Sequence, residues 1–115
     1  MNFEIVYSPA AENDLDRVWD EVYEAFQSFD IADRYITDLR AAVRKKKNYP
    51  KTGTPLSFMG EFIGIYYVTF KEYIAFYRIN ENRMEIGRIL FARSDYMKTL
   101  FGKSDYTLED TEDPF

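Results

Sequence analysis

The chain has 115 residues, of which 46% are hydrophobic, 18% aromatic and 30% charged, a globular composition with room for one domain. It has no cysteine and no histidine, which excludes disulfides, thiolate or imidazole metal sites, Cys nucleophiles and His acid–base chemistry. The net charge of -5 is uneven: residues 1–33 hold nine carboxylates and one arginine, residues 34–51 hold seven cations and one carboxylate, and the last twelve residues hold five carboxylates and no cation.

Residues 3–7 (FEIVY) read as a short strand. Ser8 then suits an N-cap and Pro9 a first helical position. Leu15, Val18, Trp19, Val22, Tyr23 and Phe26 recur at 3/4 spacing, which predicts one inward stripe on a helix over about 9–27. Residues 27–30 form a tight break, and Asp30 is positioned to cap a second helix. Tyr35, Ile36, Leu39, Ala42 and Val43 make its inner face. That helix ends in RKKKN, with cations where the helix dipole favours them. Two helices with so short a connection form an antiparallel hairpin.

Residues 49–61 contain two prolines and two glycines and read as a loop. Three strands follow, over residues 62–70, 73–79 and 83–92, rich in Ile, Tyr, Phe and Val and joined by hairpin-sized turns. Ser94 is placed to cap a short helix over residues 95–101. The acidic stretch from 102 to 115 reads as a disordered tail. The expected architecture is α+β over residues 1–101, in the order β-α-α-β-β-β. A helix hairpin packs on an antiparallel sheet, and a short helix closes the chain. The other sheet face, dense in Tyr and Phe, is expected to stay more open and to dock a partner.

No run approaches the roughly 18 apolar residues of a membrane span. The N-terminus lacks the basic-then-apolar pattern of an export signal. The expectation is a cytoplasmic protein with no membrane contact. Glu12, Asp16, Asp20 and Glu24 line one helix face, but side chains on a straight helix diverge, so the row reads as a solvated face and not as a metal site. KTGTP lacks the spacing of a phosphate loop. No metal and no small-molecule cofactor is expected. For Arg44, Lys45, Lys46 and Lys47 two readings stand: a solvated helix end, or an anchor for a nucleic-acid backbone or an acidic protein segment. The tail likewise either solubilises the chain or folds back over the basic run or the open sheet face.

The words YSPAAENDLDRVWDEV, YIAFYRINENRMEIGRIL and ARSDYMKTL, in that order over about residues 3–101, resemble the RelE/ParE superfamily, the toxins of type II toxin–antitoxin modules. The resemblance implies one fold with two activities, ribosome-dependent mRNA cleavage or poisoning of DNA gyrase, and a cognate antitoxin that wraps the toxin. In the cleaving branch, cations on the second and third sheet strands carry much of the chemistry. The matching positions here are Tyr67, Thr69 and Ile74. Arg93 and Tyr96 match the family's late Arg and Tyr, and Arg78 adds charge nearby. These three are the candidate catalytic residues if the chain is a nuclease. Arg44, Lys45, Lys46, Lys47 and Arg88 are the candidates for binding antitoxin or target. Arg78 and Arg88 have a second reading, as cross-strand partners of Glu85 or Glu72. Tyr96 has one as core packing, and Arg93 as a cap or ion pair of the last helix. The missing cations point to a ParE-like inhibitor of an essential target such as gyrase. An mRNA endonuclease and an inactive toxin-fold binding module are the alternatives.

Overall fold

A computed structural model describes residues 3–102. Its elements are β1 (Glu4–Tyr7), α1 (Pro9–Phe26), α2 (Phe29–Arg44), β2 (Thr54–Phe58), β3 (Glu61–Phe70), β4 (Tyr73–Asn80), β5 (Arg83–Phe91) and α3 (Tyr96–Phe101), with a 3-10 turn at Pro50–Thr52. The expected disordered tail lies outside the described residues.

Local chemistry sets the helix boundaries. The Ser8 hydroxyl accepts from the Ala11 amide at 3.0 Å and donates to the Gly87 carbonyl at 2.8 Å, so one side chain both caps α1 and ties it to β5. Gln27 closes α1 in the left-handed region, at φ 54°. The chain re-enters a helix at once. Its cap is Ser28, two residues earlier than the expected Asp30, with its hydroxyl 3.2 Å from the Ile31 amide. Serine in an extended conformation can present its oxygen to the third amide; Asp30 is already inside the helix. At α3 the cap is Asp95 and not Ser94: the Asp95 carboxylate accepts from Lys98, while Ser94 donates back to the Phe91 carbonyl.

The sheet has five strands in the order β1-β5-β4-β3-β2. Strands β2 to β5 form an antiparallel meander, and β1 joins its far edge parallel to β5, with Glu4 opposite Arg83 and Tyr7 opposite Ile86. The α+β class stands, but the sheet is mixed and has one strand more than the meander predicts. The extra strand, β2, lies in the segment read as loop. Its Pro55 is tolerated because β2 is an edge, where a missing N–H breaks no ladder. A two-residue turn with positive φ at Met59 and Gly60 joins it to β3.

Alternation sends side chains to two faces. The hairpin of α1 and α2 covers one, burying Leu15, Val18, Val22, Leu39 and Val43 against Tyr77, Met84, Ile86 and Ile89. The distal face is less open than expected. There Ile74, Phe76 and Leu90 are buried with Leu56, Ile65, Leu100 and Phe101, so α3 and β2 close much of it. A six-residue helix is unstable alone. Two buried anchors worth about 1.5–3 kcal/mol each hold α3 down.

Tyr77 is fully buried, and its hydroxyl donates to the Pro50 carbonyl, pinning the 3-10 turn to β4. Gly53 makes room for it: a Cβ there would lie 1.8 Å from the Tyr77 oxygen. Gly53→Ala should therefore cost about 1–3 kcal/mol of unfolding free energy by overpacking. In chemical denaturation the cost should shrink in the Tyr77→Phe background.

Burial also pushes the Tyr77 phenol up to about 12 from its ordinary 10.0. The folded state favours the neutral hydroxyl, so its contribution is complete below pH 10 and is lost as pH rises towards about 12. Burial raises Tyr73 in the same direction. Urea midpoints should fall over that alkaline window, and Tyr77→Phe should flatten the fall.

Candidate functional site

The distal face carries most of the residues singled out by resemblance. Tyr67 and Thr69 lie opposite Phe76 and Ile74 in the β3–β4 register, so all four share this face, as do Arg78, its partner Glu85, and Arg88. Tyr96 sits at the start of α3 with its ring 5.4 Å from that of Phe76. Thus Tyr67, Thr69 and Ile74 share the distal face with Arg78 and Tyr96.

The chemistry of that surface is restrained. Arg78 holds Glu85 at 2.8 Å and Arg83 reaches the same carboxylate at 3.2 Å. The Arg78 hydrogen bond keeps the Glu85 carboxyl below its ordinary range. Arg93, on the loop before α3, lies 3.7 Å from Glu72, with both side chains largely exposed. Cleavage by a 2′-hydroxyl needs a proton acceptor and cations facing the phosphate. Here the nearest cations face carboxylates, and the strand positions that hold cations in the cleaving branch are hydroxyl or aliphatic.

Arg88 leaves the face altogether. Its guanidinium turns around the sheet edge to Asp14 of α1, at 2.8 and 3.0 Å, and not to Glu85 or Glu72. Asp14 is 2% exposed, the one buried charged residue among those described. It also accepts from the Ile89 amide at 2.8 Å and from Arg17 at 2.9 Å, while Arg17 donates to the Ile89 carbonyl. The cause lies in the sheet. β1 pairs with β5 only as far as Ile86, so the β5 edge beyond it has lost its strand partner. Ser8, Asp14 and Arg17 supply from α1 the bonds a longer β1 would have made. The pairing with Asp14 raises the Arg88 pKa further.

The basic run lies apart from the distal face, at the C-terminal end of α2. Arg44 and Lys47 flank an open groove of about 520 Å³ whose other wall is the outer edge of β1, with Phe3, Ile5 and Tyr7. Lys46 reaches the Thr52 carbonyl at 3.4 Å. No ion pair among the described residues engages any of residues 44–47. The acidic row of α1 is exposed, with Glu12 bonded to Arg40 across the hairpin. Among the described residues, no cluster of three or more carboxylates is placed to hold a metal ion.

A further surface was not legible in the sequence. Trp19, Tyr23 and Phe29 form a mutual aromatic cluster at the hairpin tip, each ring against both others with centroids 4.8–5.7 Å apart. Phe29 is 63% exposed and Phe26, expected on the inner stripe, is 59% exposed. Phe26 lies on an open cavity with Ala25, Tyr73 and Phe91, so the end of the sheet covers only part of its ring. Aromatics on both sides of the Gln27–Ser28 break were the available signal.

Removal of the Asp14 carboxylate should strand Arg88 and the Ile89 amide. Asp14→Ala should cost about 3–5 kcal/mol in chemical denaturation, and Arg88→Met clearly less, because a buried charge left alone is the larger penalty.

Residues 5–96 match the family model of the ParE toxin of the type II toxin–antitoxin system parDE. No match emerged among curated proteins. Among solved structures, the chromosomal ParDE system of P. aeruginosa superposes with a TM-score of 0.67 at 19% identity, covering 79% of this chain and 97% of that one. The RelBE2 toxin–antitoxin complex of Mycobacterium tuberculosis gives 0.53 at 17% identity, with 79% and 99% covered. The fold is common to both, and the match over residues 5–96 decides between the two names: the chain belongs to the ParE toxin family of type II toxin–antitoxin systems.

Proposed function

We propose that this protein arrests growth by binding an essential cytoplasmic macromolecule, DNA gyrase first among the candidates, and that a cognate antitoxin encoded beside it neutralises it. Such a pair serves to stabilise the replicon that carries it. One observation carries the choice of an inhibitor over a nuclease. The distal face holds Tyr67, Thr69 and Ile74 where the cleaving branch holds cations, and Arg78 and Arg88 are bonded to Glu85 and Asp14. A surface of aromatic rings and paired arginines binds a partner by shape and hydrogen bonds; the carboxylate it carries, Glu85, is already held by Arg78 and Arg83.

The basic end of α2 supplies the counterpart for an antitoxin. Arg44, Lys45, Lys46 and Lys47 suit an acidic antitoxin segment, with electrostatics setting the association rate. Arg88 contributes through Asp14 to the integrity of the edge and not as a direct contact.

The deciding experiment is induction in a bacterium with parallel assays on purified components. Inhibition of supercoiling, the SOS response and filamentation are expected. Cleaved transcripts on programmed ribosomes would overturn the reading in favour of the nuclease, and normal growth would favour the inactive module. Tyr96→Phe keeps the ring on Phe76 while removing the hydroxyl, so inhibition should persist in that variant; a nuclease would lose activity. Charge reversal at Lys45 and Lys46 should weaken antitoxin binding chiefly through a slower, less salt-dependent association rate.

A further inference from the structure

We propose that the tip of the helix hairpin is a docking surface for an arginine-bearing segment of a partner protein, independent of the target and of the antitoxin contact proposed above. Both helices build its apolar part. Trp19, Tyr23 and Phe29 pack ring on ring across the Gln27–Ser28 break, with the Trp19 and Tyr23 planes 4° apart. Phe26, Phe29 and Ile31 are 59%, 63% and 42% exposed. Large apolar side chains grouped in this way on a surface mark a place where a partner sits.

Charge says which partner. Residues 18–33 hold five carboxylates, Asp20, Glu21, Glu24, Asp30 and Asp33, and no cation; Arg34 is the first beyond them. Each ring of the cluster is followed in the chain by a carboxylate, as Trp19-Asp20, Tyr23-Glu24 and Phe29-Asp30. Glu21 and Asp33 are engaged: Glu21 accepts from Tyr73 and lies 4.0 Å from Arg17, and Asp33 accepts from the Trp19 indole. Asp20, Glu24 and Asp30 are exposed and carry no ion pair among the described residues. Carboxylates around aromatic faces repel nucleic acid and attract a cation. Guanidinium suits both parts, because it stacks on a ring and bonds a carboxylate at once, whereas an ammonium is a hydrated point charge. The competing occupant is the basic run of a second copy. That run offers three lysines and one arginine, and it lies at the far end of α2, so it would give a head-to-tail contact that does not close into a pair. The sixteen residues of α2 span about 24 Å. The two ends of the hairpin can thus be occupied together, by partners of opposite charge.

Trp19 is the one tryptophan of the chain, so its fluorescence reports directly on this surface. Titration of the full-length protein with octa-arginine should change the Trp19 emission saturably, and octa-lysine should bind about fivefold more weakly. Phe29→Leu keeps an apolar side chain but removes the ring face. It should weaken octa-arginine about fivefold and leave octa-lysine unchanged. Asp20→Asn/Glu24→Gln/Asp30→Asn should weaken both peptides, most strongly at low salt. The last twelve residues hold five further carboxylates. The response should survive their conversion to amides (Asp105→Asn, Glu109→Gln, Asp110→Asn, Glu112→Gln, Asp113→Asn). Unchanged Trp19 emission up to millimolar octa-arginine overturns the proposal. So does equal binding of the two peptides with no effect of Phe29→Leu, which is charge attraction alone, or a response lost with the carboxylates of residues 104–115. A Trp19 change on concentrating the protein without peptide also overturns it, by seating the basic run of a second copy on the tip.

Discussion

A buried carboxylate holds this fold together where its backbone cannot. β1 is four residues long and β5 is nine, so more than half of the shared edge has no strand beside it. Asp14 replaces the missing strand with a side chain, accepting from the Ile89 amide and from two arginines that arrive from different elements. A carboxylate so far from water is tolerable only when its lone pairs are engaged, and here they are: no buried side-chain nitrogen or oxygen lacks a partner among the described residues. The same group fixes the angle of α1 on the sheet and draws Arg88 off the distal face. Fold and functional surface therefore share one constraint.

That withdrawal shapes what the distal face can do. Had Arg88 pointed outward beside Arg78, two cations would have faced a common point. With Arg88 folded around the edge and Arg78 on Glu85, the face is left with aromatic rings and a threonine hydroxyl, while Arg93 lies near Glu72 of the β3–β4 turn. The polarised remainder of the molecule lies elsewhere: an acid-rimmed aromatic stack at one end of the helix hairpin, and a basic groove at the other.

The helix hairpin and the three long strands were legible because their periods are strong and local. Ser8 and Pro9 announced α1, and FIGIYYVTF and YIAFYRI announced β3 and β4. What escaped was non-local or of low contrast. TPLSF has no run of β-formers, and its proline argues against a strand until the segment is known to be an edge. The parallel pairing of β1 with β5 joins residues about eighty positions apart and leaves no mark on either segment. Asp14 is one acid among nine in the first third of the chain; nothing local separates it from Asp16, which is exposed. Of the candidate residues, Arg78 and Tyr96 share a surface, while Arg44 to Lys47 stand at a different edge, because only tertiary packing determines which side of α2 meets β1.

The parallel strand also bears on when the molecule can first exist. β1 leaves the ribosome about eighty residues ahead of the strand it pairs with. Until residues 83–86 emerge, β1 has no neighbour, Ser8 has no Gly87 carbonyl, and Asp14 faces water. The helices can form early, but the layer they pack on cannot close. Completion of the sheet thereby waits for β5, and a product truncated before residue 83 would lack the seam that ties β1 and α1 to the sheet.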